Sequence, residues 1–374
     1  MRPIQMVDLG RQYEKIKAKV DAGIHSVIDG TRFIKGKEVQ EFESDLGVLL
    51  NESYVIACGN GTDALQIALM ALDLKPGDEV IVPSFTYVAT AEVIVLLGLV
   101  PVLIDVDKEL FTLDIDQLEE VITNKTKAII PVHLYGQVAP MHAVLSFAKE
   151  NNLYVIEDTA QAIGSWSMTD GVKAMAATMG DIGCLSFFPS KNLGCYGDGG
   201  ALVTKNKELA DRIRVIANHG QTKKYHHEII GVNSRLDTVQ AAVLNAKLPH
   251  LITYNKSRND VAHAYDTAFS EIPGLLTPKR ADNTYHVYHQ YTLIVKTGNR
   301  DHFKEYLAES NIPSMIYYPI PIHLQKGYSA IVKTPVTLEN TEWLTSRVIS
   351  LPIHTEMDNE QLDYIIRSIK KYFS

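Results

Sequence analysis

Ser186-Phe187-Phe188-Pro189-Ser190-Lys191-Asn192-Leu193-Gly194-Cys195-Tyr196-Gly197-Asp198-Gly199-Gly200-Ala201 sets one lysine between an apolar run and a glycine-rich loop. The run Cys184–Phe188 reads as a buried strand, so Lys191 leaves a rigid element and enters a turn shaped by Gly194, Gly197, Gly199 and Gly200. Burial disfavours the ammonium form, and a lysine held this way becomes an amine nucleophile. The chemical use of such an amine is a Schiff base with a carbonyl or with pyridoxal phosphate. A solvated surface lysine is the competing account of the stretch.

Outward from this stretch, short apolar runs alternate with helical patterns. Strands are expected at Tyr54–Cys58, Glu79–Pro83, Pro101–Val106, Lys127–Val132, Leu153–Glu157 and Ala201–Thr204. Helices are expected over residues 11–29, 64–72, 89–97, 115–122, 141–150, 207–218 and 238–248. That rhythm predicts an α/β fold with a mostly parallel sheet between two layers of helices. Ligands then collect beyond the carboxyl ends of the strands. Four features fall on that edge in chain order. Gly59-Asn60-Gly61-Thr62-Asp63 opens a helix and offers free N–H groups to a phosphate. Ser84-Phe85-Thr86-Tyr87 offers an aromatic face. Asp158-Thr159-Ala160-Gln161 sets an acid three residues before an amide, suited to a ring nitrogen and a neighbouring oxygen. Lys191 is the fourth. A phosphate cradle, a ring stack, an acid for a pyridinium nitrogen and an imine-forming lysine are together the requirements of pyridoxal phosphate.

From about Leu251 the rhythm changes to a long helix through Phe269, strand-like His289–Val295, helical Asp301–Glu309, the Pro-rich Tyr317-Tyr318-Pro319-Ile320-Pro321 and a terminal helix from Asn359. Residues 1–250 are therefore expected to form a large α/β domain and 251–374 a smaller α+β domain, with the extreme N-terminus packing on the latter. The chain has 374 residues and a net charge of −8, and no basic stripe suits it to nucleic acid. No apolar run is long enough to span a membrane, the residues Met1–Met6 lack the long apolar core expected of a secretory leader, and Cys58, Cys184 and Cys195 show no metal-type spacing. The adjacent His226 and His227 cannot both face one ion, so no metal site is expected. A cytoplasmic setting follows from these features.

The residues quoted above, together with Val7-Asp8-Leu9, Gln12-Tyr13 and Gly231-Val232-Asn233-Ser234-Arg235-Leu236-Asp237, make the chain resemble fold-type I pyridoxal-phosphate-dependent sugar aminotransferases of the DegT/DnrJ/StrS group over nearly its whole length. Members that aminate UDP-2-acetamido-2-deoxy-3-oxo-glucuronate are the most similar in the Arg/Asn loop and Tyr225-His226-His227. The resemblance implies a seven-stranded-type sheet, pyridoxal 5'-phosphate alternating with pyridoxamine phosphate, L-glutamate leaving as 2-oxoglutarate, and a nucleotide-linked keto-sugar as acceptor. It implies that Lys191 is the Schiff-base lysine and proton shuttle, Asp158 the partner of the ring nitrogen and Gln161 that of the ring 3-oxygen. Tyr87 would stack on the ring, while Thr62, the Asp63 amide and Ser186 would hold the phosphate. A homodimer is implied, with Asn233 reaching the partner's phosphate and Arg235 a substrate carboxylate across the interface, and with Tyr317 and Tyr318 lining the sugar pocket. Tyr317 departs from the histidine that relatives often carry there.

Aminotransferases for dTDP-3-oxo-6-deoxyhexoses or 4-keto-sugars share the scaffold, as does a regulatory or binding protein without turnover. A 3-dehydratase of this group carries histidine in the lysine's place, which Lys191 argues against. A nicotinamide reductase would need a G-x-G-x-x-G after a strand, and none is present.

Overall fold

The computed structural model describes residues 1–169 and 171–374. Seven strands form the central sheet: β1 (Tyr54–Cys58), β2 (Glu79–Pro83), β3 (Val100–Ile104), β4 (Thr126–Ile129), β5 (Tyr154–Asp158), β6 (Ile182–Ser186) and β7 (Gly200–Thr204), in the order β1-β7-β6-β5-β4-β2-β3. All neighbours pair in parallel except β7, which runs against both β1 and β6. The apolar strands are explained by burial on two faces. Along β2, Val80 and Val82 join one core and Ile81 the other. The first core takes in α3 (Gly61–Ala71), α4 (Ala89–Leu96) and part of α6 (Lys207–Ile216). On the opposite face lie α2 (Lys37–Leu49), α5 (Met141–Glu150) and α7 (Thr238–Lys247). The N-terminal helix α1 (Leu9–Gly30) packs on α7 through Ile16 and Val20.

A separate apolar cluster joins Ile4 to α8 (Leu251–Phe269), α9 (Arg300–Glu309), α11 (Asn359–Phe373) and a three-stranded antiparallel sheet. That sheet consists of Leu275–Leu276, β8 (Tyr291–Val295) and β9 (Val348–Leu351). Residues after 320 return to the large sheet. Lys333 pairs with Val102 on β3, Ile322 and Leu338 enter the first core, and Asp105 accepts from the N–H groups of Asn340 and Thr341 in the first turn of α10 (Glu339–Thr345).

The strand expected over Cys184–Phe188 ends at Ser186, where Phe187 turns into the core and Phe188 out to solvent. Lys191 therefore stands five positions beyond the strand. The strand expected over Leu153–Glu157 runs one residue further and carries Asp158 as its last member. Between α6 and α7 lies the small antiparallel pair Gln221–Lys223 and His226–His227. No helix among the described residues is long and apolar enough to cross a membrane.

Candidate active site

The carboxyl end of β5 is fixed by a buried carboxylate. Glu157 accepts from Met179 N and Gly180 N, both at 2.7 Å, and from Ala177 N and His133 Nε2, both at 2.9 Å. His133 Nδ1 accepts from Ala139 N at 3.0 Å, so its proton sits on Nε2. Every polar atom of this fully buried pair is thereby used, the condition for keeping such groups inside a protein. The next residue, Asp158, is 6% exposed; its Oδ2 accepts from the Thr90 hydroxyl at 2.8 Å and its Oδ1 from Ala160 N at 3.2 Å.

On one side of Asp158, Gln161 Oε1 accepts from Tyr135 N at 2.7 Å and its Nε2 donates to the Tyr318 hydroxyl at 3.1 Å. One Nε2 hydrogen is left over for a ligand oxygen. Tyr318 lies 6.1 Å, ring to ring, from Tyr87, whose side chain is 57% exposed over the site, while Phe85 is core. The Tyr135 hydroxyl donates to the Tyr317 carbonyl, tying the Pro-rich passage to the sheet edge.

At the start of α3, Asn60 caps the helix by accepting from Asp63 N at 2.8 Å. The Asp63 amide, expected as a phosphate donor, is thus committed to the cap, and the N–H groups of Gly61 and Thr62 are the open ones. The Asp63 carboxylate instead accepts from the Ser234 hydroxyl at 2.6 Å, and that oxygen accepts from Gly59 N at 2.8 Å. Gly61 faces Ser186: a Cβ on Gly61 would come within 2.8 Å of the Ser186 Cβ. Gly200 is closer still to the turn, where a Cβ would meet the Asn60 carbonyl at 2.4 Å.

Lys191 is half-buried, and among the described residues its amine has no hydrogen-bond partner. Burial lowers it to about 8, against the raising effect of the Asp158 charge. Near neutral pH it therefore carries a substantial neutral fraction, as an amine nucleophile requires. A donor set of open first-turn N–H groups beside a hydroxyl, a buried carboxylate with a Thr partner, and an unpartnered amine of lowered basicity fits pyridoxal phosphate.

Among the described residues, the Asn233 and Arg235 side chains make no hydrogen bond to Lys191, Asp158 or Gln161 within one chain. Asn233 is exposed, in a bridge with Asn218. Arg235 lines a cavity of about 200 Å³ at the free edge of β1, together with Lys35, Arg214, Glu43, Asn218 and Ser234. Arg214 pairs with Glu43 at 2.9 Å, and Lys35 Nζ donates to Asn218 at 3.0 Å. Thr90, Tyr135 and Lys35 were not expected at the site from sequence. Thr90 lies four residues after Thr86 on the turn into α4, which was the available signal.

The model of the DegT/DnrJ/EryC1/StrS aminotransferase family matches residues 14–370. A UDP-2-acetamido-2-deoxy-3-oxo-D-glucuronate aminotransferase of Pseudomonas aeruginosa is 44% identical over 98% of this chain and 99% of its own. A UDP-N-acetyl-3-dehydro-alpha-D-glucosamine 3-aminotransferase of Acidithiobacillus ferrooxidans is 42% identical over 98% and 97%. Among solved structures, NtdA of Bacillus subtilis with bound cofactor PMP superposes with a TM-score of 0.90 at 32% identity, covering 100% of this chain and 86% of its own.

Proposed function

The chain belongs to the DegT/DnrJ/EryC1/StrS aminotransferase family and is a pyridoxal-phosphate-dependent sugar aminotransferase; from that premise we propose that it moves the amino group of L-glutamate to C3 of UDP-2-acetamido-2-deoxy-3-oxo-glucuronate, for a bacterial surface polysaccharide. The observation that carries the charged acceptor is the cavity at the β1 edge. Lys35, Arg214 and Arg235 face one carboxylate, Glu43, giving a net positive lining in a chain of net charge −8. A diphosphate-linked sugar acid is drawn to such a lining, and an arginine takes its carboxylate in bidentate fashion.

Thr62 and Ser186 with the first-turn N–H groups of α3 hold the cofactor phosphate, Tyr87 covers the ring, Asp158 meets the ring nitrogen and Gln161 the neighbouring oxygen. When bound, the cofactor supplies an electron-withdrawing ring and a carbonyl through which amino groups exchange. Asp158 holds a negative charge at the ring nitrogen, and the Thr90 hydroxyl holds Asp158 in place. Lys191 Nζ takes a proton from the donor's α-carbon and returns it on the sugar side, a task suited to an amine near neutrality. The functional unit is a homodimer in which Asn233 and Arg235 complete the partner's site, a reading supported by the exposure of Asn233 and by the place of Arg235 in the cavity at the β1 edge.

The two relatives differ in whether the sugar carries an acid, and one substitution separates them. Arg235→Ala should lower kcat/KM about a hundredfold for the UDP-3-oxo-uronate, consistent with loss of about 3 kcal/mol for a charge-assisted pair. For the neutral UDP-N-acetyl-3-oxo-glucosamine the loss should stay within about threefold. Equal losses on both sugars would remove Arg235 from the sugar acid and the uronate from the proposal.

A further inference from the structure

Asp158 and Gln161 belong to the end of β5 and the loop after it, and Lys191 to the loop after β6, yet one ligand must meet all three. From α8, Asn255 ties the two loops together. It is 2% exposed; its Oδ1 accepts from Asn192 Nδ2 at 2.8 Å, and its Nδ2 donates to the Ile163 carbonyl at 3.1 Å. Asn192 follows Lys191 directly, and Ile163 lies two residues beyond Gln161. One carboxamide thus bridges the stretches that supply the amine, the acid and the amide of the site.

Both ends of this bridge are held by further bonds. Asn192 Nδ2 also donates to the Val287 carbonyl at 2.9 Å, while its buried Oδ1 has no partner among the described residues. The group is held by what it donates, since turning it over would set its oxygen against two others. In the same loop Lys191 N donates to Phe188 O, and Cys195 N to Phe187 O, both at 2.8 Å. In the other, Ala162 N donates to Thr159 O at 3.0 Å and Ser165 Oγ to Ala162 O at 2.7 Å. Gly164, at φ +86°, closes on the bridge itself: a Cβ there would lie 2.5 Å from Asn255 Nδ2. Asn255 is steadied in turn by Asn259, whose Nδ2 donates to the Asn255 carbonyl at 3.1 Å and to the His286 carbonyl at 2.8 Å.

We propose that Asn255 is a positioning residue for the transfer, its carboxamide fixing the Lys191 loop against the Asp158–Gln161 loop so that amine and acid meet the same ligand in register. The proposal rests on the assignment of Lys191 as the cofactor lysine. An amine that must reach an atom held from another loop is sensitive to its placement, and an error of about 1 Å costs up to about a hundredfold in rate. Asn255 sets the catalytic groups relative to each other and does not hold the amino donor, so its loss falls on rate and not on affinity.

The test reads Asn255→Ala in two ways. In cofactor-free protein, amide hydrogen exchange followed by peptide mass should quicken about tenfold over residues 159–165 and 187–195, and stay at the wild-type rate over β2 and β3. In protein loaded with pyridoxal phosphate, the single-turnover rate constant with L-glutamate should fall about tenfold while glutamate affinity stays within about twofold. Unmoved exchange in the two loops, or a wild-type rate constant in the folded variant, overturns the proposal, as does a loss shared equally by rate constant and affinity. Should that variant not fold, Asn255→Asp decides at about pH 8, where it keeps the size and the acceptor for Asn192 but sets an oxygen against the Ile163 carbonyl. Faster exchange over 159–165 with a lowered rate constant is then expected, and wild-type exchange there refutes the bridge. Borohydride reduction of the loaded wild type tests the underlying assignment separately: the pyridoxyl mass should fall on Lys191, and its appearance on another lysine would sink that assignment.

Discussion

Among the described residues, Lys191 and Lys247 are each lowered to about 8 by burial, and Lys247 has no part in the chemistry. Lys247 on α7 is 1% exposed, donates to the Gly194 carbonyl at 2.7 Å, and lies 4.5 Å over the Tyr196 ring. Burial lowers it to about 8. It thus clamps the loop that follows Lys191. Below pH 8 Lys247 is protonated folded and unfolded alike, and the fold bears the cost of the buried charge. Between pH 8 and the unfolded value of 10.5 the unfolded chain holds the extra proton, so stability rises with pH. Relative to Lys247→Met, the wild type should gain about 2 kcal/mol of unfolding free energy from about pH 7.5 to about pH 10, measured in urea. A difference between the two proteins that is the same at both pH values would contradict the burial account. From sequence, Lys191 stood out by its glycine-rich loop and by company on one sheet edge. Lys247 sits in an ordinary helical pattern, and nothing local marks its partner, a carbonyl 53 residues away. Asp63 shows a related limit of local sequence: whether the N–H of a first-turn residue is open depends on its cap residue, and here Asn60 accepts from the Asp63 amide.

At the scale of elements, strands buried on both faces were legible because no polar residue interrupts them. The antiparallel direction of β7 was not, since a short apolar run carries no sign of its orientation. Helix α2 carries apolar Val39, Phe42 and Leu46 at helical spacing, but it starts at Gly36 without a side-chain cap, so the usual start signal is missing. Glu157 shows how an element positions a site without touching it. Its four accepted hydrogen bonds splay the segment 177–180 and the His133 turn around the end of β5, leaving Asp158 at a fixed place. The sequence shows only two adjacent acids there; which of them is structural depends on partners 20 to 24 residues distant.

For the molecule as a whole, the proposed dimer assigns Asn233 and Arg235 to the partner's site. The loop that carries them is anchored to its own α3 start through Ser234 and Asp63, while Asn233 is exposed beside Asn218 and Arg235 lines the cavity at the β1 edge. If each site is composite, mixing inactive Lys191→Ala with Arg235→Ala, after subunit exchange, should restore about a quarter of wild-type turnover on the uronate, because half of the dimers then hold one intact site. Activity no higher than the mean of the two parents would place Arg235 in its own chain's site. The passage 320–340 illustrates what sequence order conceals at this scale: it lies between β8 and β9 of the smaller sheet in the chain but packs on β3, through Lys333 and the Asp105 cap of α10.

The most direct measurement supplies ¹⁵N-labelled L-glutamate and UDP-2-acetamido-2-deoxy-3-oxo-glucuronate to the holoenzyme and follows the label by NMR and mass. The label should appear on C3 of the sugar acid, one 2-oxoglutarate forming for each amino sugar, and Lys191→Ala should abolish the transfer. A wild-type enzyme that loads pyridoxal phosphate but moves no ¹⁵N to this or any other UDP- or dTDP-linked keto-sugar would contradict the account.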